Sequence, residues 1–172
     1  MVFDIVGLAR NLLKTPKMKR LFLIRHGEAG FSEGTDFQRQ LTKLGIEKIL
    51  RVGETLHKIQ PEIDLMYCSP AQRTMETADV LRKNVQIRSN EYHQSIYDGD
   101  LLSLMGLLEN IPTIVDSCLI VGHNPIISLC LSTLTDHSYQ NMSPGTLAYL
   151  EFEFDSWKYI SAGSGILREI IS

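Results

Sequence analysis

Arg25 and His26 stand side by side at the end of the apolar run 21–24, with Gly27 directly behind them. Further along, Arg73 follows Ser69 and Pro70 by one helical turn, and His123 sits in the stretch "GHNP" at 122–125. Each residue alone is ordinary: an arginine leaving a strand end, another on a helix, two histidines in apolar surroundings. Brought together, two guanidinium groups and two imidazoles repel one another unless an anion lies among them. A phosphoryl group suits that set. The guanidinium fork binds phosphate oxygens in pairs, so it orients as well as attracts. A neutral imidazole can attack phosphorus in line, giving a phosphohistidine that water then hydrolyses. Arginines neutralise the equatorial oxygens, and the sequence offers no convincing carboxylate cluster for magnesium. Neither a metal nor another cofactor is therefore expected.

Such a convergence needs elements that end at one edge. Residues 20–24, 65–68 and 118–121 read as short, fully apolar strands, with a further strand at 85–87. Thr42 is a good N-cap for a helix to about Gln60, ended by Pro61; Leu44, Ile49, Val52, Leu56 and Ile59 keep helical spacing. Ser69 as a cap and Pro70 at the first helical position start a helix over 71–83. Helices are also expected at 101–108 and from Ile126, and strands at 146–154 and 157–162 joined by a turn at 155–156. Strands alternating with helices of this length imply an α/β three-layer sandwich, its central sheet mostly parallel, with helices on both faces. Ligands bind beyond the carboxyl ends of such strands. Arg25, His26, Ser69 with Arg73, and His123 all follow strand exits, and helix N-termini near Ser69 and Asn124 add positive charge at the same edge.

Four blocks in order, "LIRHGEA" at 23–29, "LTKLG" at 41–45, "CSPAQRTMETA" at 68–78 and "LIVGHNP" at 119–125, resemble the histidine phosphatase superfamily, with its phosphoglycerate mutase-like fold. The short chain and the block at 91–108 are most similar to the SixA-type phosphohistidine phosphatases. The resemblance implies that His26 is the nucleophile, Arg25 and Arg73 bind phosphate, and His123 contacts the transferring phosphoryl group. It makes Ser69 a helix cap and Glu76 part of the pocket wall, while Gly27 and Gly122 let the backbone turn close to the phosphate.

Family members that cleave phosphate esters use a carboxylic acid to protonate the leaving oxygen. Glu91 is the best-placed candidate here, with a solvated loop carboxylate as the plain alternative. Asp98 and Asp100 are weaker, because "YDGD" also reads as a turn before a helix. A phosphohistidine substrate has less need of such an acid, since its imidazole can leave as a neutral base. The expected activity is thus a metal-independent phosphatase acting on a phosphohistidine-containing protein and releasing inorganic phosphate. Two alternatives stand beside it: a small-molecule phosphomonoesterase or mutase using Glu91 as acid, and a non-catalytic phospho-binding module.

The 172 residues suffice for one core, and a net charge of −3 argues against nucleic acid as a partner. Residues 1–18 read as a basic amphipathic extension ahead of a phosphatase domain at 19–172. Val2, Ile5, Val6, Ala9, Leu12 and Leu13 share one face, and Arg10, Lys14, Lys17, Lys19 and Arg20 supply positive charge. Packing on the domain is the plain reading, and membrane contact by residues 1–17 the minority one. No apolar run is long enough to span a bilayer. Cys68, Cys118 and Cys130 read as buried free thiols, which suits a reduced cytoplasmic setting.

Overall fold

The computed structural model describes residues 18–172. The amphipathic extension and its membrane contact therefore lie, but for Met18, outside the described residues. Six strands form one sheet: β1 (Lys19–Arg25), β2 (Glu62–Cys68), β3 (Gln86–Tyr92), β4 (Ser117–Gly122), β5 (Leu147–Phe152) and β6 (Ile166–Ile171), in the order β3-β2-β4-β1-β5-β6. β3, β2, β4 and β1 run parallel, whereas β5 and β6 are antiparallel additions. Among the described residues, five helices accompany them: α1 (Lys43–Ile59), α2 (Gln72–Leu81), α3 (Ser95–Asp98), α4 (Leu101–Glu109) and α5 (Ile126–Thr135).

The strand period of two divides the core between two faces. On β1, Leu21 and Leu23 pack with α4 and α5, while Phe22 and Ile24 pack with α1 and α2; all four are fully buried. β4 repeats the division, with Cys118 and Ile120 on one side and Leu119 and Val121 on the other. Each such aliphatic side chain contributes about 2 kcal/mol relative to an exposed position. The expected three-layer arrangement is the observed one. Among the described residues no helix is long and apolar enough to cross a membrane.

Three local expectations need correcting. Residues 157–162 do not form a strand. Trp157–Tyr159 is a 3₁₀ turn that sinks the indole wholly into the core, with Nε1 donating to the carbonyl of Val115 at 2.7 Å. The last strand is β6 instead, paired with β5. Lys19, counted above among the positive charges of the basic extension, belongs to the fold. It opens β1 fully buried, its ammonium donating to Thr113 O, Val115 O and Asp116 Oδ1 at 2.7–2.9 Å. Nor does Ser69 cap a helix with Pro70 at its first position: α2 begins at Gln72 and its N-cap is Ala71.

Thr42 does cap α1, accepting from Gly45 N at 3.0 Å. Its own N–H bonds to Glu28 O at 2.9 Å, so the helix start lies against the chain leaving β1. A Cβ at Gly45 would run into the Glu28 carbonyl, which explains the glycine of the "LTKLG" block.

Candidate active site

The carboxyl ends of β1, β2 and β4 are tied directly to one another. His26 N donates to Gly122 O at 3.0 Å and Ser69 N to Val121 O at 3.0 Å. Gly145, at a φ of +73° that suits a glycine, donates its N–H to His26 O at 2.9 Å. These bonds bring His26, Ser69 and His123 beneath one edge, where α2 adds Arg73.

His26 is buried, and its Nδ1 lies 2.7 Å from the carbonyl of Gly27. A carbonyl only accepts, so the ring proton sits on Nδ1 and the lone pair on Nε2. Arg73 Nε donates to that nitrogen at 3.2 Å. Burial, opposed by the Gly27 bond and reinforced by the nearby Arg73, Arg25 and Arg39, lowers the His26 pKa to about 4. The ring is a neutral nucleophile with its reactive nitrogen against a guanidinium.

His123 lies beside it, the ring centroids 5.0 Å apart. Its Nε2 is 2.7 Å from Ser69 Oγ, which already accepts from Ala71 N at 3.3 Å. A hydroxyl can donate once and accept twice, so this contact takes either direction; with Ser69 donating to Nε2, the ring proton of His123 falls on Nδ1. Burial first, then His26 and Arg73, lowers this pKa to about 3. Among the described residues, His123 Nδ1 and Arg25 Nε are buried side-chain nitrogens with no hydrogen-bond partner. Arg25 Nε is a donor, and so is His123 Nδ1 in that tautomer, as an oxyanion site requires. The other end of Arg25 is held, Nη1 donating to Met142 O at 2.8 Å.

Arg25, His26, Arg73 and His123 are thus brought together as the motifs implied. Ser69 has a different role from the one expected, since it orients His123 rather than capping α2. Glu76 works on the wall, with Oε2 accepting from Leu41 N at 2.7 Å and Oε1 from Gln72 Nε2 at 2.9 Å. Gly27 and Gly122 are small because side chains crowd them: Ile49 and Leu41 around the first, Ile127 and Ile96 around the second. Neither needs a turn conformation. Asp100 caps α4, accepting from Ser103 N at 2.8 Å, and Asp98 accepts from Gln94 Nε2 at 2.8 Å. Glu91 lies exposed on the outer strand β3, with Oε2 3.2 Å from His93 Nε2.

A carboxylate in this site that the sequence reading passed over is Asp36. It lies in a 3₁₀ turn (Asp36–Gln38) on the loop after β1 and contacts Arg73, Arg39 and Tyr97. Its signal was faint: an Asp and an Arg three residues apart, just ahead of "LTKLG". Among the described residues no group of three or more His, Cys, Asp or Glu side chains is placed to hold a metal ion.

Sheet, strand order and converging side chains are similar to those of the histidine phosphatase superfamily (branch 1), whose family model matches residues 21–100. The likeness extends to particular relatives. A candidate SixA phosphohistidine phosphatase from Nakamurella multipartitia superposes with a TM-score of 0.78 at 24% identity, over 89% of this chain and 95% of that one. A protein histidine phosphatase SixA complexed with tungstate gives 0.78 at 20% identity, over 89% and 96%. Phosphoglycerate mutase from Plasmodium falciparum gives 0.64 at 18% identity, over 89% and 90%. At these identities the structural likeness establishes the fold, which is phosphoglycerate mutase-like. By sequence, an uncharacterised protein of Mycobacterium leprae is 27% identical over 123 residues, 69% of this chain and 74% of its own length.

Proposed function

We propose that this chain is a phosphatase that works through a phosphohistidine on His26, with phosphohistidine of a protein as its substrate. One observation carries the reading: the His26 Nδ1 proton is committed to Gly27 O, so that Nε2 faces Arg73 with its lone pair. Nε2 attacks phosphorus, a P–Nε2 bond forms, and the bond to the substrate imidazole breaks. The substrate imidazole, protonated from water on its other nitrogen before transfer, leaves neutral and keeps that proton. Water then attacks the phosphorus, the P–Nε2 bond breaks, and inorganic phosphate departs. Arg25 and Arg73 neutralise the equatorial oxygens, and His123 Nδ1–H donates to one of them.

The substrate class is supported by the leaving-group side. The sequence candidate for an acid, Glu91, sits on His93 on the outer strand. A leaving imidazole needs no strong acid, whereas an alkoxide does. The SixA relatives described as phosphohistidine phosphatases agree with this, as does tungstate, a tetrahedral oxyanion, in one of them. The test is phosphate release from a panel of phosphohistidine peptide, aryl phosphate, sugar phosphate and phosphoglycerate. Phosphohistidine should be turned over fastest, and His26→Ala should lower that rate on the order of a thousandfold or more. An unchanged rate in the variant would remove His26 from the chemistry, and a preference for phosphoglycerate would favour the mutase alternative.

A further inference from the structure

The loop between β1 and α1 brings Asp36 onto the guanidinium that reaches the nucleophile. Arg73 Nη2 donates to Asp36 Oδ2 at 3.0 Å and Nη1 to Asp36 O at 2.6 Å, while Nε donates to His26 Nε2 at 3.2 Å. All three nitrogens of Arg73 are therefore engaged. Tyr97 donates its hydroxyl to the same Oδ2 at 3.2 Å, and Arg39 Nη1 donates to Oδ1 at 3.2 Å. Phe37 meets the Tyr97 ring edge-on at 5.0 Å, and Tyr97 meets His123 edge-on at 5.4 Å. A carboxylate is thus held on the guanidinium next to His26.

We propose that Asp36 is an internal competitor for the phosphoryl site. It gives up Arg73 when a phosphoryl group binds and takes it back as inorganic phosphate leaves, thereby setting the affinity for anions and the ease of product release. This rests on reading the site as one that binds phosphoryl groups. Carboxylate and phosphate offer the same pair of oxygens to a guanidinium, and the dianion makes the stronger pair. Phosphate needs donors of Arg73 that Asp36 now holds. The exchange is within reach because the Asp36 side chain is 54% exposed, so that water can take up the released carboxylate. The loop keeps an anchor throughout: Arg39 donates to Gly30 O at 2.9 Å and Ala29 O at 3.0 Å, bonds that do not involve Asp36.

Titration calorimetry of inorganic phosphate into the full chain tests this, using the parent, Asp36→Asn and Asp36→Ala. Both variants should bind phosphate about tenfold more tightly, the worth of one charge-assisted contact no longer opposed. They should also show correspondingly stronger product inhibition. Equal or weaker phosphate binding by the variants overturns the proposal and leaves the phosphoryl site standing. Hydrogen exchange on the parent gives a reading that needs no variant. Amides at 35–38 should exchange faster when phosphate saturates the site, and unchanged exchange overturns the proposal. A parent that binds no phosphate even at tens of millimolar would instead remove the phosphoryl reading itself, and this inference with it.

Discussion

His26, Ser69 and His123 lie under the strand ends at 9%, 0% and 6% exposure, whereas the side chain of Asp36, on the loop facing them, is 54% exposed. The two regions are held by different means. The floor is fixed by backbone bonds between strand exits, such as His26 N to Gly122 O and Ser69 N to Val121 O. The rim is held by side chains: Asp36, Arg39, Tyr97 and the edge-on contact of Phe37. Groups whose tautomer and aim matter are placed where the backbone leaves no freedom. Groups that must exchange partners are placed where water can replace them. Arg73 touches both regions, with Nε on His26 and its other nitrogens on Asp36.

Breaking that link should have the largest effect. Arg73→Ala removes a charge from the phosphoryl site and is expected to lower kcat/KM on the order of a thousandfold, measured by phosphate release from a phosphohistidine peptide. Loss of only a few-fold would mean that floor and rim work independently.

The floor can be examined through its protons. Ring resonances of His26 and His123 should titrate at about 4 and about 3, far below an ordinary histidine. The sign follows from burial: the folded state disfavours the charged rings, so the unfolded chain binds more protons in acid. The associated stability is present above the unfolded histidine pKa of about 6.5 and is lost as pH falls through the folded values. In Arg73→Ala the His26 value should move upward. Resonances titrating near 6.5 would show a floor open to water.

Ser69→Ala should have a smaller effect. It leaves His123 in place but frees its tautomer, and a fall in kcat of about tenfold with KM little changed is expected. Glu91→Gln should be smallest, within about twofold on phosphohistidine. A large loss there would restore Glu91 as the acid and shift the preferred substrate toward phosphate esters.

The floor was legible in the sequence because its signals are local and dense. Apolar strands at 20–24, 65–68 and 118–121 run into Arg25 and His26, Ser69, and His123, and a parallel sheet must bring those exits to one edge. The rim was not. Asp36 belongs to a loop without periodicity, and its importance comes from Arg73, 37 residues away. The final strand was displaced for a similar reason. Residues 157–162 alternate as a strand would, but the core claims Trp157. The true edge strand, "ILREII" at 166–171, is mostly exposed and lacks a regular apolar face. Lys19 was read by its charge, whereas two backbone carbonyls and Asp116 hold it at zero exposure.

Lys19 also has a mechanical consequence. A load applied to the chain just ahead of residue 19 would enter β1, between β4 on one side and β5 on the other. Along that strand the ladder bonds would be sheared together rather than peeled one by one, and the buried ammonium would act as a stop at the point of entry. A tether attached there would bear on the strand that carries His26, with the whole inter-strand ladder resisting displacement of the nucleophile.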